Sequence, residues 1–178
     1  MLPFAPGVRA FADECHDTFL VYLLTFNCYG THLRGDESGS VDRARNVRGG
    51  VMEPAPALVN YGQHVMKHPA VVLGLEDSLQ VLKAIQETCV FRRWTLIAAH
   101  VRSTHAHLVV DGISEVPDAL RDFKCNASRV LKQGGTGRWW ARGGNVRPLR
   151  DRRAVHAAVR YVADRQGVPM ALYVASDV

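Results

Sequence analysis

The stretch WTLIAAHVRSTHAHLVVDG (Trp94–Gly112) decides how this chain folds. Its two apolar runs are separated only by residues 102–104, and so short a connection between strands predicts an antiparallel β-hairpin. The second strand begins with His105 and His107. Because alternate residues of a strand point to the same face, the two imidazoles are expected to lie side by side. The pair is therefore either half of a metal site or an ordinary polar start to a strand.

One more buried strand and an amphipathic helix precede the hairpin. FLVYLLTFNCYG (Phe19–Gly30) is rich in aromatic and aliphatic residues and ends at a glycine, as a buried strand does. LEDSLQVLKAIQETCVFRRW opens with acidic residues, which suit the positive end of a helix. Its apolar residues recur at helical spacing and predict a buried stripe of Leu75, Leu79, Leu82, Ile85 and Cys89.

The C-terminal part of the chain predicts two further helices with a strand between them. SEVPDALRDFKCNASRVLKQGG is a helix with Ser114 or Asp118 as its start signal and Gly134 as its stop. GRWWARGGNVRPL has the aromatics and paired glycines of a strand and turn. DRRAVHAAVRYVADRQG is a helix that Asp151 caps and Gly167 stops, and ALYVA leaves room for a short final strand.

The order β-α-β-β-α-β-α predicts an α+β, ferredoxin-like fold, with helices packed on one face of a mainly antiparallel sheet. Residues 31–69 are rich in glycine, proline and charge without a sustained period, which predicts a long insertion loop rather than a linker. A chain of 178 residues with 47% hydrophobic residues can bury one core. We therefore expect a single domain spanning residues 1–178.

The composition favours a cytoplasmic protein with a polyanionic partner. The net charge is +5 and comes mostly from arginine, whose guanidinium binds phosphate oxygens in a fork. The four cysteines are widely spaced without a C-x-x-C pair, which excludes a zinc knuckle and a dense disulfide framework and predicts reduced thiols. The longest apolar run, FLVYLLTF, is far too short to cross a bilayer, so neither export nor membrane insertion is expected.

A tyrosine on the last helix is the second candidate for chemistry. Val155, Val159 and Val162 form the apolar stripe of that helix. Tyr161 lies about 100° from this stripe, at the edge of the core, where its ring can pack while its hydroxyl reaches solvent. It is either a boundary residue or a reactive one. If the histidines bind a cation, an added oxygen ligand and a substrate phosphate would suit Mg²⁺ or Mn²⁺ better than zinc.

Four motifs in order, LTFNCYGTHLRGDESGSVD, VRSTHAHLVV, FKCNASRVL and AVRYVADRQG, closely resemble the single-tyrosine HUH transposases, especially the REP-associated tyrosine transposases and their insertion-sequence relatives. The resemblance covers Phe19 to Gly167. In that family a histidine, hydrophobic, histidine triplet binds a divalent cation, and one tyrosine on a downstream helix cuts single-stranded DNA. The resemblance thus implies an HUH nuclease fold whose C-terminal helix carries the tyrosine, with His105 and His107 as ligands and Tyr161 as nucleophile.

The third metal ligand departs from the family pattern. In related transposases an amide or acidic side chain about one turn after the tyrosine completes the metal site. Arg165 occupies that position here. Gln166 is the nearest amide and is the preferred counterpart, with Asp164 as its rival.

The resemblance implies a metal-dependent single-stranded DNA endonuclease and strand transferase that acts through a 5′-phosphotyrosine at hairpin or repeat ends. Such a protein would be a monomer or homodimer in the cytoplasm, associated with the nucleoid when bound to DNA. Two alternatives stay open. A domesticated relative would bind hairpin DNA or RNA without cutting it, and a hydrolase would use water and make Tyr161 dispensable.

A basic and aromatic segment is the expected nucleic-acid contact. Trp139 and Trp140 can stack on unpaired bases, although one of the two is expected in the core. The surrounding arginines would hold phosphates: Arg138, Arg142, Arg147, Arg150, Arg152 and Arg153. Lys124 and Arg129 either line the same groove or form a solvated helix face.

The segment THLRGDESGSVD carries His32, Asp36 and Asp42, residues of the types that bind metals. Their spacing follows no metal-ligand pattern and they lie in the predicted insertion loop. We therefore interpret the segment as a loop near the substrate rather than as a second metal site.

Overall fold

A computed structural model describes residues 21–37, 53–131, 138–164 and 169–176. Its elements in chain order are β1 (Val21–Asn27), α1 (Pro56–His64), α2 (Leu75–Arg92), β2 (Thr95–Val101), β3 (His105–Asp111), α3 (Val116–Val130), β4 (Asn145–Leu149), α4 (Arg152–Asp164) and β5 (Ala171–Val174). The strands form one sheet in the order β4-β1-β3-β2-β5, with every neighbouring pair antiparallel. The predicted α+β class, the β2–β3 hairpin and the short final strand are confirmed.

Helices cover both faces of the sheet. On one face α2 and α3 bury a core that includes Phe26, Leu108 and Phe123. On the other face α4 buries a smaller cluster that includes Val109 and Val162. The two long helices thus share one face as predicted, and the C-terminal helix has the opposite face to itself. Because strand residues alternate between faces, the odd-numbered residues of β3, including both histidines, face α4.

The strand register places polar residues in one row on the α4 face. Thr25 of β1 lies opposite His107 of β3, and His107 lies opposite His100 of β2. On the other side of β1, Thr25 lies opposite Asn145 of β4. Four polar side chains therefore cross the sheet from β4 to β2 at the end where the histidine pair begins.

The predicted stripe of α2 is wrong at its first two positions. Leu75 is 58% exposed and Leu79 is 50% exposed. The buried face is formed by Ser78, Val81, Leu82, Ala84, Ile85, Thr88 and Cys89. Leu79 precedes Ile85 by six residues, which turns it about 120° away from the buried face at 100° per residue. A count of apolar residues at helical spacing did not reveal which side of the helix faces the sheet.

Helix α1 lies within the segment for which the sequence predicted only a loop, and for Pro56–His64 that prediction is wrong. Pro56 opens the helix, and none of its residues is buried. The segment is attached at its ends, since the amide of Ala55 donates to the carbonyl of Gly35 at 2.8 Å and that of Val71 donates to Tyr29 at 2.8 Å. Because the helix buries nothing, its sequence shows no apolar period.

The ends of two helices test the predicted start signals. The carboxylate of Asp151 accepts a hydrogen bond from the amide of Ala154 at 2.7 Å, which confirms the predicted cap of α4. Neither Ser114 nor Asp118 caps α3. That helix begins after Glu115 with a proline in its first turn, and no side chain bonds its first amides. The predicted stops Gly134 and Gly167 lie outside the described residues.

Candidate active site

The histidine pair lies at the start of β3 with both rings held by threonines. The ring centroids of His105 and His107 are 4.7 Å apart. The Oγ1 of Thr25 is 2.8 Å from Nδ1 of His107, and the Oγ1 of Thr104 is 3.0 Å from Nδ1 of His105. When Nδ1 carries the proton and donates it to the hydroxyl, the lone pair of the ring lies at Nε2. Both imidazoles are thereby oriented as metal-binding histidines usually are, with the second nitrogen hydrogen-bonded.

Tyr161 reaches the histidine pair from α4. Its ring centroid is 5.3 Å from that of His107, with the planes inclined at 73°. Tyr161 is 40% exposed, whereas His107 is 6% exposed. The tyrosine therefore covers the histidine with its ring and still presents a large part of its surface to solvent. A phenol beside an imidazole pair is an arrangement that can combine a nucleophile with a bound cation.

His105 and His107 are the two candidate metal ligands that the described part of the chain brings together. No group of three or more His, Cys, Asp or Glu side chains suited to a metal occurs among the described residues. Asp164, the rival third ligand, is exposed at the end of α4 and joins no such group. Gln166 lies outside the described residues. Two imidazoles fit a divalent cation that takes its remaining ligands from amide, phosphate or water oxygens.

A polar surface extends from the histidine pair across β1 and β4. Helix α4 packs mainly on β2, β3 and β5. Beside it, Asn27 lies opposite His105, and Thr25 separates His107 from the exposed Asn145. Arg147, two residues further along β4, is exposed on the same face. Beside the tyrosine helix, this face of the sheet therefore presents hydrogen-bonding groups and an arginine.

The predicted arginines are mostly found around the start of α4. Arg150 precedes the helix, while Arg152 and Arg153 open it, and all three are exposed. No acidic residue occupies the first turn. The carboxylate of Asp151 caps this helix end, and the arginines around it form an exposed basic surface. Arg138 and Arg142 are exposed in the segment before β4.

Trp140 and Lys124 belong to the opposite face of the sheet. Trp140 is 6% exposed, its ring centroid is 5.0 Å from that of Phe26, and its indole N–H donates to the Lys124 carbonyl at 3.1 Å. It is the core member of the tryptophan pair, so the base-stacking role predicted for it does not fit. Trp139 is half-buried against the same core. The ammonium of Lys124 donates to the carbonyls of Ala141 and Gly143, and burial lowers its pKa.

Arg129 on α3 also lies away from the histidine pair, and its guanidinium donates to the amide oxygen of Asn126 at 2.8 Å. In the loop after β1, Nδ1 of His32 is 3.2 Å from Oδ2 of Asp36. Asp42 lies outside the described residues. Among the described residues, His32 and Asp36 belong to no group of three or more His, Cys, Asp or Glu side chains suited to a metal.

Cysteine chemistry is not supported by the described thiols. Cys28, Cys89 and Cys125 are free. Burial raises the pKa of Cys28 and of Cys89 to about 12, so neither forms the reactive thiolate near neutral pH. Cys125 is exposed on α3, and Cys15 lies outside the described residues. None of the four helices in the described part of the chain has the apolar length needed to cross a bilayer.

Three residues of the site were missed by sequence reasoning: Thr25, Thr104 and His100. Thr25 and Asn27 interrupt an apolar strand at alternate positions, which signals a face that becomes polar at the strand's end. The partner of Thr25 depends on the β1–β3 register, which the sequence does not specify. His100 lies in an apolar strand. Pairing the two strands of the hairpin outward from residues 102–104 places His100 opposite His107, so the signal was present in the sequence.

Comparison with known proteins gives a likeness of structure but not of sequence. No protein-family model matches the chain, and no curated protein is detectably similar. The chain is similar to a solved REP-associated tyrosine transposase bound to a REP hairpin, with 14% identity and a TM-score of 0.45 over 85% of this chain and 70% of that one. It is also similar to a candidate transposase from Deinococcus radiodurans R1, with 13% identity and a TM-score of 0.45 over 88% and 98% of the two chains. Likeness at this level does not carry chemistry, so the function has to be inferred from the side chains of this protein.

Proposed function

We propose that this protein cuts single-stranded DNA with Tyr161 as the nucleophile, beside a Mg²⁺ or Mn²⁺ ion held by His105 and His107, and rejoins the cut strand to another end. Gln166 is the proposed third protein ligand. The observation that carries the proposal is the 5.3 Å distance between the ring centroids of Tyr161 and His107. The two residues come from separate elements of the fold, and only the packing of α4 on the sheet brings them together.

The chemistry explains why a tyrosine and two histidines would be combined. The phenolic oxygen of Tyr161 attacks phosphorus and gives up its proton to solvent, the bond from phosphorus to the 3′-oxygen breaks, and the 3′-oxygen takes up a proton from solvent and leaves as a 3′-hydroxyl. A divalent cation held by His105 and His107 would supply positive charge against the phosphate oxygens. The resulting 5′-phosphotyrosine conserves the energy of the broken bond, so a second 3′-hydroxyl can displace the tyrosine. Water as nucleophile would lose that energy.

Single-stranded or hairpin-flanked DNA is the proposed substrate. The resemblance of the sequence motifs suggests it, and the exposed arginines beside the histidine pair support it. Arg147, Arg150, Arg152 and Arg153 can follow a phosphate backbone from β4 to the start of α4. Arg138 and Arg142 can extend the basic surface, whereas Trp139 packs against the core on the opposite face of the sheet. A continuous duplex would have to bring its scissile phosphate under the ring of Tyr161, for which an unpaired strand is better suited.

The decisive experiment is a search for the covalent intermediate. Purified protein is incubated with Mn²⁺ and a library of hairpins taken from the DNA that flanks the gene. We expect a denaturant-resistant adduct that mass spectrometry locates at Tyr161, and none with duplex of the same sequence. Tyr161→Phe should abolish the adduct while DNA affinity stays within about threefold, because only the attacking oxygen is lost. Tyr173→Phe, on β5, is the matched control and should still form it.

The other outcomes point to the two alternatives. A Tyr161→Phe variant that cuts at the normal rate, or products with a free 5′-phosphate and no protein attached, would indicate a hydrolase that uses water. Tight hairpin binding by the wild type without cleavage of any library member would indicate a relative that binds but does not cut.

A further inference from the structure

His100 is a buried histidine with two hydrogen bonds that nothing in the proposed chemistry uses. It is 0% exposed and lies next to His107 in the sheet register. Its Nδ1 is 3.0 Å from the carbonyl oxygen of Val162, and its Nε2 accepts a hydrogen bond from the amide of Met170 at 3.3 Å. A buried ring with both nitrogens bonded to backbone groups is held in one orientation.

The two hydrogen bonds of His100 join it to the helix that carries the tyrosine and to the residue before β5. Val162 follows Tyr161 directly in α4. Met170 leads directly into β5. One imidazole on β2 therefore binds the chain on both sides of residues 165–168, and it does so beside a proposed metal ligand.

Only one form of the ring makes both bonds. The Nδ1 must carry a proton to donate to the Val162 carbonyl, and Nε2 must present a lone pair to the Met170 amide. That is the neutral Nδ1–H tautomer. Burial lowers the pKa of His100, while the Val162 hydrogen bond acts in the opposite direction, so desolvation favours the neutral ring. The fold thus selects the tautomer that the two contacts require.

We propose that His100 is a positioning residue, which holds the Tyr161 turn of α4 at a set distance from His107 and thereby sets the rate of the cleavage step. The inference rests on the proposed function of Tyr161. The mechanical link is short. β2 and β3 are paired strands, so a bond from His100 to the carbonyl of Val162, the residue after Tyr161, fixes the tyrosine relative to His107. A displacement near 1 Å at a reacting group can cost about 100-fold in rate.

Two substitutions separate the two bonds. In His100→Asn the amide nitrogen takes the place of Nδ1 and can still donate to Val162. In His100→Gln the amide oxygen takes the place of Nε2 and can still accept from Met170. Because the Val162 bond is shorter and adjoins the tyrosine, we expect His100→Asn to stay within about fivefold of wild type and His100→Gln to lose about 10- to 100-fold in single-turnover rate. DNA affinity should stay within about threefold in both.

The matched control is Ile85→Ala, in the core on the other face of the sheet. It weakens the packing of α2 and leaves the cluster that holds α4 unchanged. If Ile85→Ala lowers the melting temperature as much as His100→Gln but keeps the rate, loss of stability does not explain the effect. Equal rates for His100→Gln and wild type in folded protein would overturn the proposal.

A spectroscopic measurement on protein without metal or DNA tests the role of His100 independently of the proposed cleavage activity. With 3-fluorotyrosine incorporated, the ¹⁹F resonance of Tyr161 is assigned by its loss in Tyr161→Phe. We expect this resonance to move or broaden in His100→Gln and to match wild type in His100→Asn. If wild-type protein forms no adduct, the proposed function fails while this spectrum still decides whether His100 positions the tyrosine.

The tautomer of His100 in unaltered protein is the check that remains if the variants do not fold. In ¹⁵N-histidine-labelled wild type, we expect the two-bond and three-bond couplings of His100 to report the Nδ1–H form. An Nε2–H tautomer would remove the donor to Val162 and overturn the proposal. An unchanged ¹⁹F spectrum in every folded His100 variant would do the same.

Discussion

Thr25→Val is the substitution that best separates a metal site from an ordinary strand start. Valine keeps the shape and the β-propensity of threonine and removes only the hydroxyl. That hydroxyl lies 2.8 Å from Nδ1 of His107, a residue that is 6% exposed. The variant therefore leaves a ring nitrogen of a buried histidine without its partner on β1, and it changes neither of the two histidines nor Tyr161.

The expected magnitude follows from the position of the lost bond. Removal of a hydrogen-bond partner outside the ligands typically weakens metal binding 10- to 100-fold. Since His105 keeps its own bond to Thr104 at 3.0 Å, only one of the two histidines is affected. We expect Mn²⁺ binding to weaken about 30-fold, or about 2 kcal/mol at about 1.4 kcal/mol per tenfold change. The lost hydrogen bond should lower the free energy of unfolding by about 1 kcal/mol, which shifts the melting temperature by about 2–4 °C.

The assay measures metal binding apart from catalysis. Free Mn²⁺ is followed by electron paramagnetic resonance in protein without DNA, and the Mn²⁺ dependence of single-turnover cleavage is measured separately. Thr95→Val is the matched control, because Thr95 is an exposed threonine at the start of β2. It should leave Mn²⁺ affinity within about twofold. If Thr25→Val lowers the melting temperature as expected but binds Mn²⁺ like wild type, the Thr25 contact only stabilises the sheet. The assignment of His107 as a metal ligand would then be wrong.

Three further outcomes are expected. His105→Ala and His107→Ala should each abolish metal-stimulated cleavage, because one imidazole is too few to hold the cation. Circular dichroism should show that both variants remain folded. If activity per folded molecule is retained, the two histidines are ordinary strand residues and not metal ligands. Burial lowers the folded-state pKa of His100, so below about pH 6.5 the unfolded chain binds a proton that the folded protein excludes. In denaturant unfolding, His100 should therefore cost wild type up to about 1.4 kcal/mol of stability per pH unit below pH 6.5, until the folded-state pKa is reached. A His100→Asn variant should lack this contribution. Arg147→Gln should reduce the salt dependence of single-stranded DNA binding by about 0.7 in the slope of log K against log salt, whereas Arg121→Gln, an exposed arginine paired with an aspartate on the other face of the sheet, should not.

Local features of this protein were determined by the sequence by itself. The hairpin of β2 and β3 follows from two apolar runs and a short turn, and the capping of α4 follows from Asp151. That His105 and His107 lie side by side needs only the alternation of a strand, and that Tyr161 lies at the edge of a buried stripe needs only the helical period. Each of these depends on residues within a few positions of one another, where backbone geometry leaves few alternatives.

Which elements meet, and on which side, was decided only by the tertiary structure. The sequence did not reveal that Leu79 turns to solvent, that Trp140 rather than Trp139 is the buried member of its pair, or that α4 has a face of the sheet to itself. The same holds for the contacts that build the site, in which Thr25 contacts His107 and His100 binds the carbonyl of Val162. Strand register and the choice of sheet face depend on how much apolar surface the whole core buries. No single segment of the sequence determines that buried area.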